Sequence, residues 1–149
     1  MTTKATFGAG CFWGTQVAFQ QIPGVTATAA GYDGGTKPNP TYEEVCSHAT
    51  GHAEVVQVEY EPALVSYNTL LDVFWNNHNP TTLNRQGPDV GTQYRSVIFY
   101  HDEEQMELAE QSKQILSESG RFKQPIVTQI VPASTFWVAE DYHQGYLEK

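Results

Sequence analysis

Residues 4–21 read KATFGAGCFWGTQVAFQQ, and this stretch predicts how the chain begins to fold. Lys4 to Phe7 is typical of a short strand, and the Gly-Ala-Gly turn that follows interrupts it. From Cys11 onward, apolar residues recur at helical spacing until Pro23-Gly24 ends the pattern. The predicted order is strand, glycine turn and helix, with Cys11 where the helix begins.

The remaining sequence alternates between strand and helix patterns. Ser66 is a typical helix cap, and Asp102 with Gln105 three residues later resembles a capping box. This alternation favours an α/β (α+β) fold of two layers, with a mixed sheet and helices packed on it, in a single domain spanning residues 1–149. We predict strands at Val25 to Ala30, Ala53 to Tyr60, Tyr94 to Tyr100 and Ile126 to Val131, and helices at Tyr42 to His48, Tyr67 to Asn76 and Asp102 to Ser119.

Two long segments are polar and rich in glycine, residues 31–52 and residues 78–93. Long loops in compact domains often carry function, so we expect both to approach the turn at Cys11. We predict no regular structure for residues 78–93. Residues 136–149 form an aromatic, polar tail with room for one more short helix.

The chain of 149 residues contains 17 Asp and Glu against 8 Lys and Arg, a formal charge of −9. This balance argues against nucleic acid and membrane surfaces as partners, because binding to either requires clustered basic residues. Neither an apolar signal core nor a membrane-spanning run follows Met1, so we expect a cytoplasmic protein. Cys11 and Cys46 are the only cysteines, too few for a secreted disulfide scaffold.

Cys11 is the first candidate for chemistry. At a helix start, free N–H groups and the helix dipole stabilise an anion and lower the pKa of a thiol. Only the thiolate attacks, and the adjacent glycines let a substrate approach the backbone, so the pattern favours a nucleophile. The alternative is a buried structural cysteine, since free cysteines are among the most buried residues.

The segment from Cys46 to Glu54 holds a thiol, His48, His52 and a carboxyl within nine positions. We do not favour a zinc site, because Thr50-Gly51 makes a regular helix doubtful between the histidines and no second ligand pair follows. Glu54 opens an apolar strand, where a desolvated carboxyl can hold a proton for donation near neutral pH. The alternative is a strand end that faces solvent.

Four further residues have the right chemistry but carry weak signals when taken singly. Tyr42 and Tyr94 can each donate a phenolic hydrogen bond. Phe12 and Trp13 are consecutive, so both cannot face the same side of a helix, and at least one is expected to face a cleft. The alternative for this aromatic pair is ordinary packing in the core.

Six motifs, in order along nearly the whole chain, resemble the A-type peptide methionine sulfoxide reductases. The resemblance implies a ferredoxin-like two-layer sandwich with long functional loops and reduction of methionine sulfoxide, free or in proteins, with preference for the S epimer. The motifs are GCFWG at 10–14, GYDGG at 31–35, PNPTY at 38–42, TGHAE at 50–54, GPDVGTQYRS at 87–96 and AEDYHQ at 139–144.

The same resemblance assigns roles to individual residues. Cys11 would attack the sulfoxide sulfur and become a sulfenic acid. Glu54 would be the proton donor, with Tyr42 and Tyr94 as hydrogen-bond donors. Asp89 would support the site, and the pocket for the sulfoxide methyl would be formed by Phe12 and Trp13. No metal and no bound cofactor are implied, and we expect a monomer.

The sequence differs from the family pattern at Asp33 and in its cysteines. Asp33 stands where a small residue is expected, which adds negative charge near a loop. Many relatives place a recycling cysteine in a tail, and this sequence has none as far as Lys149. Cys46 resembles a structural cysteine of the family, so we expect an external thiol reductant such as thioredoxin or glutaredoxin with glutathione. An intramolecular role for Cys46 remains open.

Two rival functions are compatible with the residues taken alone. A thiol hydrolase or acyltransferase would pair Cys11 with a histidine base such as His52 or His143. A non-catalytic domain would bind methionine-containing peptides on its aromatic loops, and this binding would survive loss of Cys11.

Overall fold

The structure is a computed structural model that describes residues 2–10, 12–35, 40–46 and 51–139, with only the backbone described for Cys46. A single 3-10 turn spans Thr92–Tyr94. The strands are β1 (Thr3–Ala9), β2 (Val25–Asp33), β3 (Ala53–Tyr60), β4 (Arg85–Gln86), β5 (Asp89–Val90), β6 (Ser96–Tyr100), β7 (Gln129–Pro132) and β8 (Trp137–Val138), and the helices are α1 (Phe12–Gln20), α2 (Tyr42–Cys46), α3 (Tyr67–Asn76) and α4 (Glu103–Glu118).

Six strands form one sheet in the order β7-β6-β1-β3-β2-β8, and β4 and β5 form a separate hairpin. β6 and β7 are parallel, whereas the other pairs in the sheet are antiparallel. The predicted mixed sheet is therefore confirmed. The central position of β1 places the turn that follows Ala9 between β6 and β3, at one end of the sheet.

The helices α1, α3 and α4 pack on one face of the sheet, which we call the helical face. At its centre the ring of Phe7 stacks on Phe19 with centroids 5.0 Å apart and contacts Phe74 at 5.3 Å. Leu70 and Leu71 are fully buried in the same cluster. Burial of side chains this large contributes about 1.5–3 kcal/mol each, so this cluster stabilises the attachment of α1 and α3 to β1.

The opposite face of the sheet has a smaller apolar core. Ala53, Val55, Val97 and Phe99 are buried there, because alternate residues of a strand point to opposite faces. Residues 131–136 pack over this cluster, so we call it the covered face. The predicted helix layer is confirmed on one side of the sheet, while an irregular segment protects the other.

Both predicted helix caps are present. The Ser66 hydroxyl accepts a hydrogen bond from the Thr69 N–H at 3.1 Å. A carboxylate oxygen of Asp102 accepts one from the Gln105 N–H at 2.8 Å. The Gln105 side chain accepts from the N–H of His101, one residue before the cap, at 2.9 Å. None of the described helices is both long enough and apolar enough to cross a membrane.

Four predictions about secondary structure were wrong, and one is the strand at Ile126 to Val131, because β7 begins only at Gln129. Residues 78–93 are not wholly irregular, because β4 and β5 form a hairpin around Gly87, whose φ is +58°. Tyr94 belongs to the 3-10 turn, and the strand begins two residues later at Ser96. The tail contributes strand β8, which pairs with β2. Strands of two residues are too short for periodicity to reveal, which explains why the β4–β5 hairpin and β8 were not predicted. The short helix that the sequence allows in the tail cannot be compared beyond Ala139, because residues 140–149 lie outside the described residues.

Candidate active site

The turn between β1 and α1 has the conformation that the sequence predicts on both sides of Cys11. Gly10 has a φ of +93°, which an L side chain rarely adopts, and α1 begins at Phe12. Cys11 itself lies outside the described residues. Its neighbours place the strand end before it and the helix start after it, as expected for an activated thiol.

Glu54 is the buried carboxyl of this site, with 1% of its surface exposed. It lies in β3 on the helical face, and one oxygen accepts a hydrogen bond from the Phe12 N–H at 3.4 Å. The other oxygen has no hydrogen-bond partner among the residues that the structure describes. The alternative of a strand end facing solvent is therefore wrong for Glu54.

Burial raises the pKa of Glu54 from 4.5 to about 8. The hydrogen bond from the Phe12 N–H opposes this shift, and the negative charge of Asp89 adds to it. Glu54 is therefore protonated at neutral pH. A proton held on a buried carboxyl beside a helix start is the property that the sequence predicts for a general acid.

Aromatic rings form a wall beside this carboxyl. Phe12 is buried and lies 5.7 Å from Tyr32 and 6.3 Å from Tyr42, measured between ring centroids. Trp13 is partly exposed and stacks on Tyr42 at 6.4 Å with an interplanar angle of 21°. The two consecutive aromatic residues thus differ in burial, as their positions on a helix require.

Tyr32 belongs to this wall although the sequence did not single it out. Its backbone is paired with that of Glu54 across β2 and β3, and its side chain is fully buried. Paired residues of adjacent strands share a face of the sheet, so the register alone would have identified Tyr32. Register is set by tertiary pairing, and a single sequence does not show it.

The remaining predicted residues come from the segment before β6. Asp89 begins β5, is partly buried, and acts electrostatically on Glu54. The 3-10 turn that ends at Tyr94 packs against β3, the strand of Glu54. The described residues Phe12, Trp13, Tyr42, Glu54 and Asp89 therefore surround one end of the sheet, and Tyr94 lies on a turn against the same strand.

Gln86 is a second residue that the sequence did not single out. It is paired with Asp89 across the β4–β5 hairpin. A Cβ placed on Gly10 would lie 2.8 Å from Cγ of Gln86. The hairpin therefore carries one residue against Gly10 and another that influences Glu54.

Asp33 lies on the covered face, away from Glu54. It is paired with Ala53, the neighbour of Glu54 in β3, so the two carboxyl groups point to opposite faces. One oxygen of Asp33 accepts hydrogen bonds from the N–H and hydroxyl of Ser134 at 3.3 and 2.5 Å. The departure from the family pattern thus ties the end of β2 to the segment before β8.

The histidines of the rival functions have other surroundings or are not described. His52 is buried, and its Nδ1 accepts a hydrogen bond from the Gly35 N–H at 3.0 Å. His48 and His143 lie outside the described residues, as does the side chain of Cys46. Among the residues that the structure describes, no group of three His, Cys, Asp or Glu side chains could hold a metal ion.

Comparison with known proteins agrees with this geometry. A family model described as peptide methionine sulfoxide reductase matches residues 3–149. The peptide methionine sulfoxide reductase MsrA of Methanoculleus marisnigri is 63% identical over 146 residues, which cover 98% of this chain and 89% of the relative.

Solved structures show the same similarity. The reduced form of Mxr1 from Saccharomyces cerevisiae superposes with a TM-score of 0.93 at 35% identity, covering 99% of this chain and 84% of that one. Methionine sulfoxide reductase A of Corynebacterium diphtheriae gives 0.87 at 38% identity, covering 99% and 74%. Because the family model and the relatives match almost the full sequence, the chain belongs to the A-type peptide methionine sulfoxide reductases, oxidoreductases that reduce methionine sulfoxide in protein repair.

Proposed function

We propose that Cys11 is the nucleophile of this reductase and that Glu54 is its general acid. The thiolate sulfur would attack the sulfur of methionine sulfoxide. Oxide is not a possible leaving group in neutral water, so the oxygen must receive a proton as the bond to the substrate sulfur breaks. Glu54 is the described residue whose pKa and burial suit that donation.

The step balances in atoms and electrons. The Cys11 thiolate, the sulfoxide and the proton of Glu54 give methionine, a sulfenic acid on Cys11 and a Glu54 carboxylate. The substrate sulfur is reduced, and the Cys11 sulfur is oxidised by the same two electrons. Glu54 must regain a proton before the next cycle.

The observation that carries the proposal is the state of Glu54. Its carboxyl is 1% exposed, receives one N–H at 3.4 Å, and has a pKa of about 8. The N–H belongs to Phe12, the residue that follows Cys11 in the chain, so Glu54 of β3 is hydrogen-bonded to the helix start next to the proposed nucleophile. A carboxyl with only a structural role would be expected to have more compensating donors.

Tyr42 and Tyr94 are proposed to hold the sulfoxide oxygen by phenolic hydrogen bonds. Asp89 is proposed to support the site by keeping Glu54 protonated, since its charge raises the pKa of that carboxyl. Phe12 and Trp13 are proposed to bind the sulfoxide methyl. The stacking of Trp13 on Tyr42 supports a shared pocket, because one ring would bind the methyl and the other the oxygen. Such a fixed pair also supports preference for the S epimer.

Mass spectrometry after a single oxidation tests the nucleophile. We expect methionine sulfoxide, added without any reductant, to leave one oxygen on Cys11 and to release one equivalent of methionine. Cys11→Ser should form no product, whereas Cys46→Ser should behave as the parent. Product formation by Cys11→Ser would contradict the proposal. Hydrolysis of esters or amides by the parent would support the thiol hydrolase or acyltransferase, and peptide binding that survives Cys11→Ser together with no methionine formation by the parent would support the binding domain.

For recycling we propose an external thiol reductant of the thioredoxin class, with glutaredoxin and glutathione as the alternative. Yeast Mxr1 has been solved in complex with Trx2, which supports thioredoxin. The reductant would attack the sulfenic acid, form a mixed disulfide with release of water, and then resolve that disulfide with a second thiol.

The role of Cys46 in this cycle can be measured directly. We expect Cys46→Ser to keep multiple turnover with an external dithiol. In the parent, a sulfenate-trapping reagent should label Cys11 after substrate is added without reductant. A Cys11–Cys46 disulfide by peptide mapping, with loss of thiol-dependent turnover in Cys46→Ser, would instead make this a two-cysteine enzyme.

A further inference from the structure

Residues 78–91, which we call the hairpin segment, are held to the protein at their beginning by a half-buried histidine, His78. Nδ1 of His78 lies 2.7 Å from the Phe74 carbonyl, which can only accept, so Nδ1 carries the hydrogen. Nε2 therefore accepts from the Ser96 hydroxyl at 2.6 Å. Burial lowers the pKa of His78 to about 4, so the ring is neutral and this arrangement is kept at physiological pH.

Ser96 also connects the hairpin segment to the strand that leads to Cys11. Its backbone is paired with Ala9, the last residue of β1. Its hydroxyl oxygen accepts a further hydrogen bond from the Thr128 hydroxyl at 2.7 Å, since the Ser96 hydrogen is committed to His78. The start of the segment is thus fixed next to the end of β1.

The middle of the hairpin segment is held by the side-chain amide of Gln86. Its oxygen accepts from the Asn79 N–H at 3.0 Å, and its nitrogen donates to the Asn79 carbonyl at 2.7 Å. The nitrogen also lies 3.3 Å from the Thr82 hydroxyl. These bonds use both ends of the amide, so the side chain of Gln86 has one well-defined position.

The stem of that anchored side chain packs against Gly10. A Cβ on Gly10 would lie 2.8 Å from Cγ and 3.0 Å from Cβ of Gln86. These atoms belong to the part of Gln86 that cannot swing away while the amide stays bound to Asn79. The left-handed conformation of Gly10 is therefore supported from outside by the hairpin segment.

We propose that Gln86 is a positioning residue for sulfoxide reduction, holding the Gly10 turn so that the next residue, Cys11, meets the substrate correctly. The inference rests on the proposed role of Cys11 as nucleophile. Misplacement of a reacting group by about 1 Å can lower a rate about a hundredfold, so a support of this kind affects chemistry more than binding.

Two variants separate the anchor from the stem, both made in a Cys46→Ser background so that Cys11 is the only thiol. Gln86→Met keeps a stem of similar length but loses the bonds to Asn79. Gln86→Ala removes the stem as well. Leu83→Ala is the matched control, because Leu83 lies in the same segment and is 70% exposed.

Three quantities are measured for each variant: the single-turnover rate at saturating methionine sulfoxide, the substrate KM, and the pH dependence of Cys11 alkylation by iodoacetamide. For both Gln86 variants we expect a single-turnover rate about tenfold lower than that of the parent, with KM within about twofold of the parent. The alkylation profile should move upward by roughly half a pH unit, because a loosened turn loses stabilisation of the thiolate by the helix start. Leu83→Ala should match the parent.

Three results would overturn the inference. Rates within twofold of the parent would show that Gly10 needs no support from Gln86. An equal loss in Leu83→Ala, or a lower rate with an unmoved alkylation profile, would show general loosening of the segment. If Gln86→Ala does not fold, Gln86→Met alone decides, since it keeps the side-chain volume. Retained reduction by Cys11→Ser would instead contradict the proposed function and is measured separately.

Discussion

Glu54 and Asp33 are two buried carboxyl groups that lie one register position apart on opposite faces of the same sheet. One oxygen of Glu54 accepts the Phe12 N–H at 3.4 Å, and the charged neighbour that raises its pKa is the negative Asp89. Asp33 receives two hydrogen bonds from Ser134 and lies near Arg95, whose pKa is lowered by burial, a shift that the charge of Asp33 opposes.

The difference shows what separates an acid from a structural anion in this protein. Equal burial does not decide the role, because both side chains are 1% exposed. Burial has the largest effect on the pKa of Glu54, and the negative charge of Asp89 adds to it, whereas Asp33 has the donors of Ser134 and the guanidinium of Arg95 nearby. A desolvated carboxyl with an anionic neighbour keeps its proton near neutral pH, as Glu54 does.

The largest effect should come from removing the ionisable proton on the helical face. Glu54→Gln keeps the size of the side chain but cannot transfer a proton, and we expect the single-turnover rate to fall about a hundredfold or more. Asp33→Asn is the matched control and should stay within a few-fold of the parent. Equal rates for parent and Glu54→Gln across pH would show that Glu54 is not the acid.

Stability should distinguish the two carboxyl groups by its dependence on pH. The folded pKa of Glu54, about 8, is raised above its ordinary 4.5, so the folded state holds more protons between these values. Stability of the parent therefore falls as pH rises from about 4.5 to 8, by up to a few kcal/mol. Glu54→Gln should remove this fall, so urea denaturation should find it more stable than the parent at pH 8 and similar at pH 4.5.

Asp33→Asn tests the other half of that comparison. It should lose about 1–3 kcal/mol at neutral pH, because the donors of Ser134 and the nearby guanidinium lose a charged partner. Denaturation midpoints at matched pH measure the loss. A gain in stability at pH 8 would place Asp33 in the same class as Glu54 and remove the contrast.

Aromatic residues on the two faces should also differ, one affecting substrate discrimination and the other only stability. Trp13→Ala should lower discrimination between methyl and bulkier sulfoxides, because a pocket for one methyl contributes about 1–3 kcal/mol. Phe136→Ala on the covered face should lower stability and leave discrimination unchanged. Unaltered kinetics of Trp13→Ala for both substrates would assign Trp13 to packing.

The smallest effect should come from Asp89→Asn, which removes the anionic neighbour of Glu54. The pKa of Glu54 should fall slightly, since the charge of Asp89 raises it but has a smaller effect than burial or the Phe12 N–H. The alkaline limb of the single-turnover pH profile should then move to lower pH. A limb that stays in place or moves upward would show that Asp89 acts otherwise.

Local signals predicted much of this fold because they depend on neighbours in the chain. Ser66 and Asp102 cap helices through N–H groups three residues away, so the caps are visible in sequence. The strand from Ala53 to Tyr60 and the helix from Tyr67 to Asn76 have the predicted bounds. Both are long enough for their apolar patterns to be unambiguous.

Short and non-local features could not be predicted in this way. The β4–β5 hairpin has strands of two residues, and its segment is held by the bonds of Gln86 to Asn79 and of His78 to the Ser96 hydroxyl. Its two-residue strands offer no periodicity to detect. Its importance follows from the close approach of Gln86 to Gly10 and from the charge of Asp89, which acts on Glu54.

The sequence by itself determined the order of the longer elements, the glycine turn before Cys11 and the set of residue types that sulfoxide reduction requires. Only the tertiary structure decided the protonation of Glu54, because desolvation and the charge of Asp89 depend on packing between β3, α1 and the hairpin. It also decided that Asp33 faces away from the site, since a strand's register sets which side chains share a face. The residue types are given by the sequence itself, whereas their pKa values and the faces they occupy depend on contacts between distant segments.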